Sequence, residues 1–448
     1  MDNAKSFTSG GVLSSLIKFA IPVLVAMFLQ SLYGAVDLLV VGQFAETIDV
    51  SGVATGSLLM QTVTMIITGL SMGVTIYVGQ KIGEKKDEEA GKAIGAGIVL
   101  FLLIGAILSI LLVGFTKQLA NILHAPSEAY VQTCEYIVIC GSGTIFIGLY
   151  NLLGAIFRGI GDSKTPLFTV FVACIINIVA DLLFVAVLGL GAMGAALATI
   201  IAQAISVVVS VLIIIKKTLP FTFKKEYVCF NRRLILHELR IGTPIALQEF
   251  LVGVSFMVIQ TVVNSIDVTA SAGVGVAEKV CAFIMLVPSA FSQAMSAFVA
   301  QNIGAGYKDR ALKALKCGII TSLCVAVFIG SFTFFEGNIL ANIFTKDVEV
   351  IEQAFHYLRA YAIDTLFTAI LFCYIGYYNG CGKTLFVMVQ GIVGAFCVRV
   401  PMVFLMSNLP NATLFHIGLA TPISSMVQIV LCVIFMLYTV RADKKNVS

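Results

Sequence analysis

Long uncharged apolar stretches separated by short polar segments set the pattern of this chain. Residues 93–116, 182–215 and 400–440 contain no Asp, Glu, Lys or Arg. A membrane-crossing helix needs about 20 apolar residues, so the last two stretches each hold one full crossing and part or all of another. Breaks within them are expected at Gly189-Leu190-Gly191 and Leu409-Pro410-Asn411. Twelve helical spans result, at 16–42, 52–79, 93–115, 131–156, 166–188, 192–215, 240–263, 271–299, 312–335, 355–378, 384–406 and 415–440. The first apolar stretch runs past the length of a cleavable signal and has no small-residue cleavage pattern.

Composition agrees with a bilayer as partner: 59% of residues are apolar, 12% are charged and the mean hydropathy is +1.01. Lys and Arg alternate by loop. Of the 28, 23 fall at the N-terminus, in the 2–3, 4–5, 6–7, 8–9 and 10–11 loops and at the C-terminus; the opposite loops hold only Lys117 and Lys346, and Lys279, Arg359 and Arg399 lie within spans. By the positive-inside rule both termini are cytoplasmic in a multi-pass cell-membrane protein. The net charge of +4 is therefore an orientation signal, and no nucleic-acid partner is implied.

The chain also repeats itself. Residues 79–98 read GQKIGEKKDEEAGKAIGAGI and residues 300–319 read AQNIGAGYKDRALKALKCGI, identical at eight of twenty positions. The same offset of 221 relates Tyr136 to Tyr357, and Gly159 and Gly161 to Gly380 and Gly382; with one residue of slippage Pro22 matches Pro244. An all-α fold of two pseudo-symmetric six-helix bundles follows, with an N-lobe at 1–222 holding helices 1–6 and a C-lobe at 223–448 holding helices 7–12. An even number of helices per half gives both halves one topology about an axis along the membrane normal, an arrangement recurrent in transporters.

Catalytic signatures do not appear. The eleven cysteines form no CxxC pair, the four histidines lack zinc-ligand spacing, and neither a Walker A loop nor a GxSxG turn is present. A non-enzymatic protein without cofactor is expected, any transport drawing on an ion gradient unless a partner supplies an ATPase.

Ionisable groups inside spans then carry the information, since a charge near a helix centre costs roughly 2.5–3.5 kcal/mol. Gln30, Gly34 and Asp37 form a polar, small-residue stripe on helix 1; Asn177 and Asp181 share a face of helix 5, and Thr199 and Gln203 a face of helix 6. Asp37 is 15 residues past Pro22, and Asp181 is 15 past Pro166. At 1.5 Å per residue each lies about 22 Å along an outward-running helix. Thr199 is about two turns into a descending one, so all three fall in the outer half of the membrane. Two carboxylates in one dry pocket cannot both ionise cheaply, so such a pair can hold a proton. The oxygens of Asp37, Asn177, Asp181 and Thr199 can instead ligate Na⁺, a hard cation. Pro22 removes a backbone hydrogen bond and can serve as a hinge in helix 1.

The second half has a different polar inventory: Gln248 and Glu249 on helix 7, Glu278 and Lys279 on helix 8, Arg359 and Asp364 on helix 10. Glu278 and Lys279 point about 100° apart. Arg359 can snorkel or pair with Asp364. Glu249 has no basic residue within a turn. A substrate or second-cation role is open to Gln30, Gln203, Gln248, Glu249 and Asp364. The carboxylates do not repeat: Asp37 aligns near Ile259 and Asp181 near Met402.

Twelve helices in two bundles, Pro22 and Asp37 on helix 1, FRGIGDSKTP at 157–166, the Asn177-Ile-Val-Ala-Asp181 pattern and GAMGAALAT at 191–199 resemble the multidrug and toxic compound extrusion (MATE) transporters. The resemblance covers nearly the whole chain. It implies two lobes around a central cleft, and export of cationic amphipathic compounds in exchange for H⁺ or Na⁺. It implies further that Asp37, Asn177, Asp181 and Thr199, joined by Asn151 on helix 4, form an N-lobe cation site. Many members carry a helix 7 glutamate eight residues after the proline, where this chain has Val252, with Glu249 three residues earlier; ion coupling is accordingly expected in the N-lobe. A two-lobed transporter can work as a monomer, and a monomer is the expectation here. The alternative is a flippase of lipids or lipid-linked oligosaccharides with the same architecture, but a pyrophosphate head group calls for a more cationic cavity than about three mid-membrane Lys and Arg supply.

Overall fold

The protein was analysed as a computed structural model, which describes residues 7–217, 219–410 and 412–445. Helix is the only regular structure among them, because in hydrocarbon every backbone N–H and C=O must bond within its own segment. The apolar helices are α1 (Val12–Phe44), α2 (Thr47–Gly83), α3 (Asp87–Gly114), α4 (Ser127–Ser142 continued by Thr144–Gly159), α5 (Lys164–Val187), α6 (Gly191–Lys216), α7 (Arg232–Asn264), α8 (Val268–Gly304), α9 (Lys308–Ala341), α10 (Val348–Gly380), α11 (Thr384–Ser407) and α12 (Leu414–Arg441). Each expected span coincides with one of them, 93–115 and 166–188 running one residue past the ends of α3 and α5, and most of the helices extend several residues into the connecting segments. Large apolar side chains such as Ile110, Val187 and Phe328 are mainly exposed, a surface suited to lipid tails.

Most interruptions have a cause in the sequence. The two parts of α4 meet at 50° across Ser142-Gly143, a pair that tolerates kinking. Met285 interrupts α8 because Pro288, three residues on, cannot donate to the Ile284 carbonyl. Pro22 and Pro244 lie inside continuous helices. Gly189 and Gly191 take positive φ at the expected break between α5 and α6, which few other residues would do without strain. Asp49 of α2 then accepts a hydrogen bond from the Ala192 backbone N–H at 2.9 Å, capping α6. In the second expected break, between α11 and α12, Asn411 lies outside the described residues. Two stretches are wound as π-helix, Leu182–Val187 in α5 and Val393–Arg399 in α11; in α11 the π-turn precedes Pro401, whose ring prevents a regular hydrogen bond there.

Contacts divide the chain into two units, one of Met1–Gly10, Ile17–Ala246 and Ala300–Tyr307, the other of Gly11–Leu16, Leu247–Val299 and Lys308–Ser448. In the first unit α2 is the spine. Gly52 and Gly56 lie under Gln132 and Tyr136 of α4, while Gly69 and Gly73 meet the backbone of α7 at Ala246 and Gly242. Small residues four apart let helices approach closely, which in a membrane replaces the missing hydrophobic drive.

The second unit repeats these contacts. Thr75 of α2 donates its hydroxyl to the Ala155 carbonyl of α4 at 3.0 Å, and Ser296 of α8 donates to the Gly376 carbonyl of α10 at 3.2 Å. Gly52 lies under Gln132 as Gly273 lies under Gln353, and Gly159 meets Thr75 as Gly380 meets Ser296. Every one of these pairs is related by 221 residues.

Candidate functional site

The acidic pair belongs to the first unit. Asp181 ends the regular part of α5, one residue before its π segment; π-turns are frequent at functional sites, since they change the direction of the side chains beside them. Asn177 lies one turn earlier. A hydroxyl bridge from Ser206 of α6 to the Thr169 carbonyl of α5 at 3.1 Å holds these two helices together. Across from them α1 brings Asp37, whose Oδ2 accepts a hydrogen bond from the Thr199 hydroxyl at 3.3 Å. Asp181 and Asn177 turn their side chains to the same carboxylate. Asn177 and Asp181 are fully buried and Asp37 nearly so.

Hydrogen bonding leaves much of this cluster unsatisfied. Oδ1 of Asp37, both carboxylate oxygens of Asp181 and both amide atoms of Asn177 have no hydrogen-bond partner. No Lys or Arg pairs with either carboxylate among the described residues. Burying even one unpaired ionised carboxylate is costly, a cost that a proton or a cation held by these oxygens would relieve. The donor set of carboxylate, amide and hydroxyl oxygens suits a hard cation.

Around this centre the other polar side chains find separate places. Gln30 donates to the Tyr150 hydroxyl at 3.1 Å. Gln203 is buried beside Tyr33. Asn151 does not join the acidic pair: its Oδ1 accepts from Thr68 of α2 at 3.0 Å and its Nδ2 donates to the Ile147 carbonyl. Gly34 has open space where a Cβ would project. Tyr33 and Tyr136, within electrostatic reach of Asp37, are neighbours of the site that the sequence did not assign to it, Tyr136 having drawn notice only through the repeat. Tyr33 could have been found, one turn before Asp37 on the same face; Tyr136 had no such signal.

In the second unit the polar residues do not gather in this way. Asp364 is buried beside Ser425, and the charged group nearest to it in effect is Arg399. Arg399 ends the π segment of α11, donates to the Ser255 hydroxyl at 2.9 Å and lies over the Phe256 ring at 4.4 Å. Arg359 does not pair with Asp364, as the sequence had allowed. Five positions apart, the two side chains leave different faces of α10, and the Arg359 guanidinium lies over Phe334 at 4.7 Å and Phe355 at 5.7 Å. Gln248 is buried over Gly391. Its neighbour Glu249 is exposed. Lys279 reaches the Phe344 ring at 6.0 Å, while Glu278 acts toward Cys281 and Tyr357.

A duplicated bundle of apolar helices with a buried acidic cluster is the architecture of a membrane transporter. The MatE family model matches residues 22–183 and 244–405, and the chain belongs to this family of multidrug and toxic compound extrusion transporters. Both matches begin on a proline. The chain is 26% identical over 447 residues to the probable multidrug resistance protein YoeA of Bacillus subtilis (strain 168), covering 97% of this chain and 95% of the relative. To the probable multidrug resistance protein NorM of Thermotoga maritima it is 25% identical over 398 residues, covering 87% and 85%. Its fold is similar to that of a solved structure described as the outward-facing conformation of a multidrug resistance MATE family transporter of the MOP superfamily. The TM-score is 0.92 at 17% identity, over 99% of this chain and 98% of that one.

Proposed function

We propose that this protein is a secondary active antiporter of the cell membrane that exports cationic amphipathic compounds in exchange for H⁺ or Na⁺. The observation that carries this reading is the Asp37–Asp181 pair with Asn177 and Thr199, whose buried oxygens lack both a basic partner and a full set of hydrogen bonds. The names of the curated relatives support the class of substrate. Both termini are cytoplasmic in this reading, and the working unit is a monomer.

In the outward-open state a cation enters from outside and neutralises Asp37 and Asp181. Loss of charge repulsion lets α1 bend about Pro22, whose missing N–H leaves the Lys18 carbonyl without its helical donor. Bending removes contacts from the bound compound, which leaves to the outside; the cation is released inside. Each charge moved inward gains about 2.3 kcal/mol per 100 mV. Phe and Tyr supply any cation–π contact, since the chain has no Trp.

An ethidium efflux assay tests the proposal, using cells that express wild type, Asp37→Asn or Asp181→Asn, with Na⁺ and the proton gradient removed in turn. Each variant is expected to lose about tenfold or more of gradient-driven efflux, the loss of about 1.4 kcal/mol of driving interaction. Efflux undiminished in both variants would refute the coupling site. Wild-type protein that moves none of several cationic dyes would favour the flippase reading instead.

A further inference from the structure

Glu238 is a carboxylate with no role in the antiport cycle described above. It lies in the second turn of α7, is 1% exposed, and neither of its carboxylate oxygens has a hydrogen-bond partner. A Cβ built on Gly97 of α3 would meet Leu152 of α4 at 3.4 Å and the two Glu238 oxygens at 3.5 and 3.6 Å. The carboxylate therefore ends in an apolar pocket roofed by Gly97 and Leu152.

The other half of the chain contains the same pocket with a different filling. Gly318 is the repeat of Gly97 and Cys373 the repeat of Leu152, each 221 residues on; the offset of 222 that relates Pro22 to Pro244 relates Leu16 to Glu238. A Cβ on Gly318 would meet Met295, then Leu16 Cδ2 at 3.4 Å and Cys373 Sγ at 3.5 Å. Leu16 is fully buried there. Packing at this place in the fold is thus satisfied by leucine, and an unpaired ionised carboxylate in its stead is destabilising. As the neutral acid the same side chain costs far less. Two oxygens are too few for a metal cation, which takes six or so oxygen ligands, but enough for a proton.

We propose that Glu238 is a second proton-binding site of the N-lobe, separate from the Asp37–Asp181 cluster and serving proton release at the opposite face of the membrane. The inference rests on the antiport reading with H⁺ as the coupling ion. In that topology α7 starts at the cytoplasmic face, while Asp37 lies in the outer half. The titratable group facing Glu238 from α2 is Tyr77; α3 and α4 present Gly97 and Leu152. On α7 itself the next residue back is His237, which is exposed and packs against Tyr77 with ring centroids 4.4 Å apart and the ring planes tilted by 54°.

Two measurements on the full-length protein test this. In detergent, dicyclohexylcarbodiimide reacts with protonated carboxyl groups in apolar pockets; the Glu238 peptide should gain the reagent's mass, in a yield that falls as pH rises. In proteoliposomes, Glu238→Leu and Glu238→Gln should lower ethidium accumulation driven by a pH gradient about tenfold, while the Leu variant unfolds at or above the wild-type temperature. Absence of the adduct at every pH, wild-type accumulation by the Leu variant, or a Leu variant that unfolds well below wild type would each overturn the proposal. If wild type moves no dye under a pH gradient, the antiport reading with H⁺ fails, and the carbodiimide adduct, independent of transport, still decides whether Glu238 binds a proton.

Discussion

Asp162 shows how a single side chain anchors a membrane helix. Its Oδ1 accepts from the backbone N–H groups of Lys164 and Thr165, and its Oδ2 accepts from the Thr165 hydroxyl and from Lys217 Nζ at 2.6 Å each. Burial works against the charged form, yet Lys217 and Thr165 outweigh it and hold the Asp162 carboxyl below its ordinary value of 3.8. A carboxylate lowered in this way stabilises the fold above that ordinary value, and the contribution disappears as pH falls through the lowered one. Asp162→Asn should therefore unfold more readily than wild type at neutral pH, by about 1 kcal/mol, with the gap closing in strong acid; thermal unfolding in detergent at several pH values measures it. Asp162 belongs to the FRGIGDSKTP segment that carried part of the family resemblance, and its structural work is the start of α5, the helix that holds Asn177 and Asp181. By contrast Glu238 was not read from the sequence at all. It lies just before the expected start of span 7, among Arg232, Arg233 and Arg240, where a loop glutamate attracts no attention; burial beneath Gly97 is a tertiary fact.

At the scale of helices, α2 depends on close approach and α1 does not at the matching kind of residue. A Cβ on Gly73 would lie 2.7 Å from the Glu238 carbonyl oxygen and 2.8–2.9 Å from the backbone of Gly242, none of which can turn aside. Gly73→Val should cost about 1–3 kcal/mol or more through overpacking, seen as a fall in the monodisperse peak and unfolding temperature by fluorescence-detected size exclusion. Gly34→Ala, with nothing near it, should leave both unchanged; an equal loss in the two variants would contradict the packing described here. Helix count and approximate limits could be read from apolar run length, because the bilayer fixes the length of a crossing. The π segments were not legible, since a π-turn is a one-residue insertion that a periodicity of 3.6 does not resolve over so short a stretch.

For the whole molecule, the internal repeat makes a quantitative demand. Thr75 to Ala155 and Ser296 to Gly376 join matching positions in the two halves, with no partner in common, though the Ser296 hydroxyl is shared with the Ser292 carbonyl of its own helix at 2.9 Å. Thr75→Val and Ser296→Ala should each destabilise by about 0.5–1.5 kcal/mol, and the double variant by about the sum; denaturant unfolding in mixed micelles would expose any departure from additivity.

The amino-acid sequence by itself determined the membrane class, the twelve spans, the duplication and the identity of the acidic pair, because run length, repeat offset and charge inside an apolar run are local or periodic properties. Only the tertiary structure decided which polar groups meet. It joined Asp37, Asn177, Asp181 and Thr199, gave Asn151 to Thr68 and Arg359 to two phenylalanine rings, and placed Glu238 in the pocket that Leu16 fills in the other half. Such choices depend on the rotation of each helix about its axis and on which neighbour it packs against, and hydrophobic pattern constrains neither when lipid and protein interior are almost equally apolar.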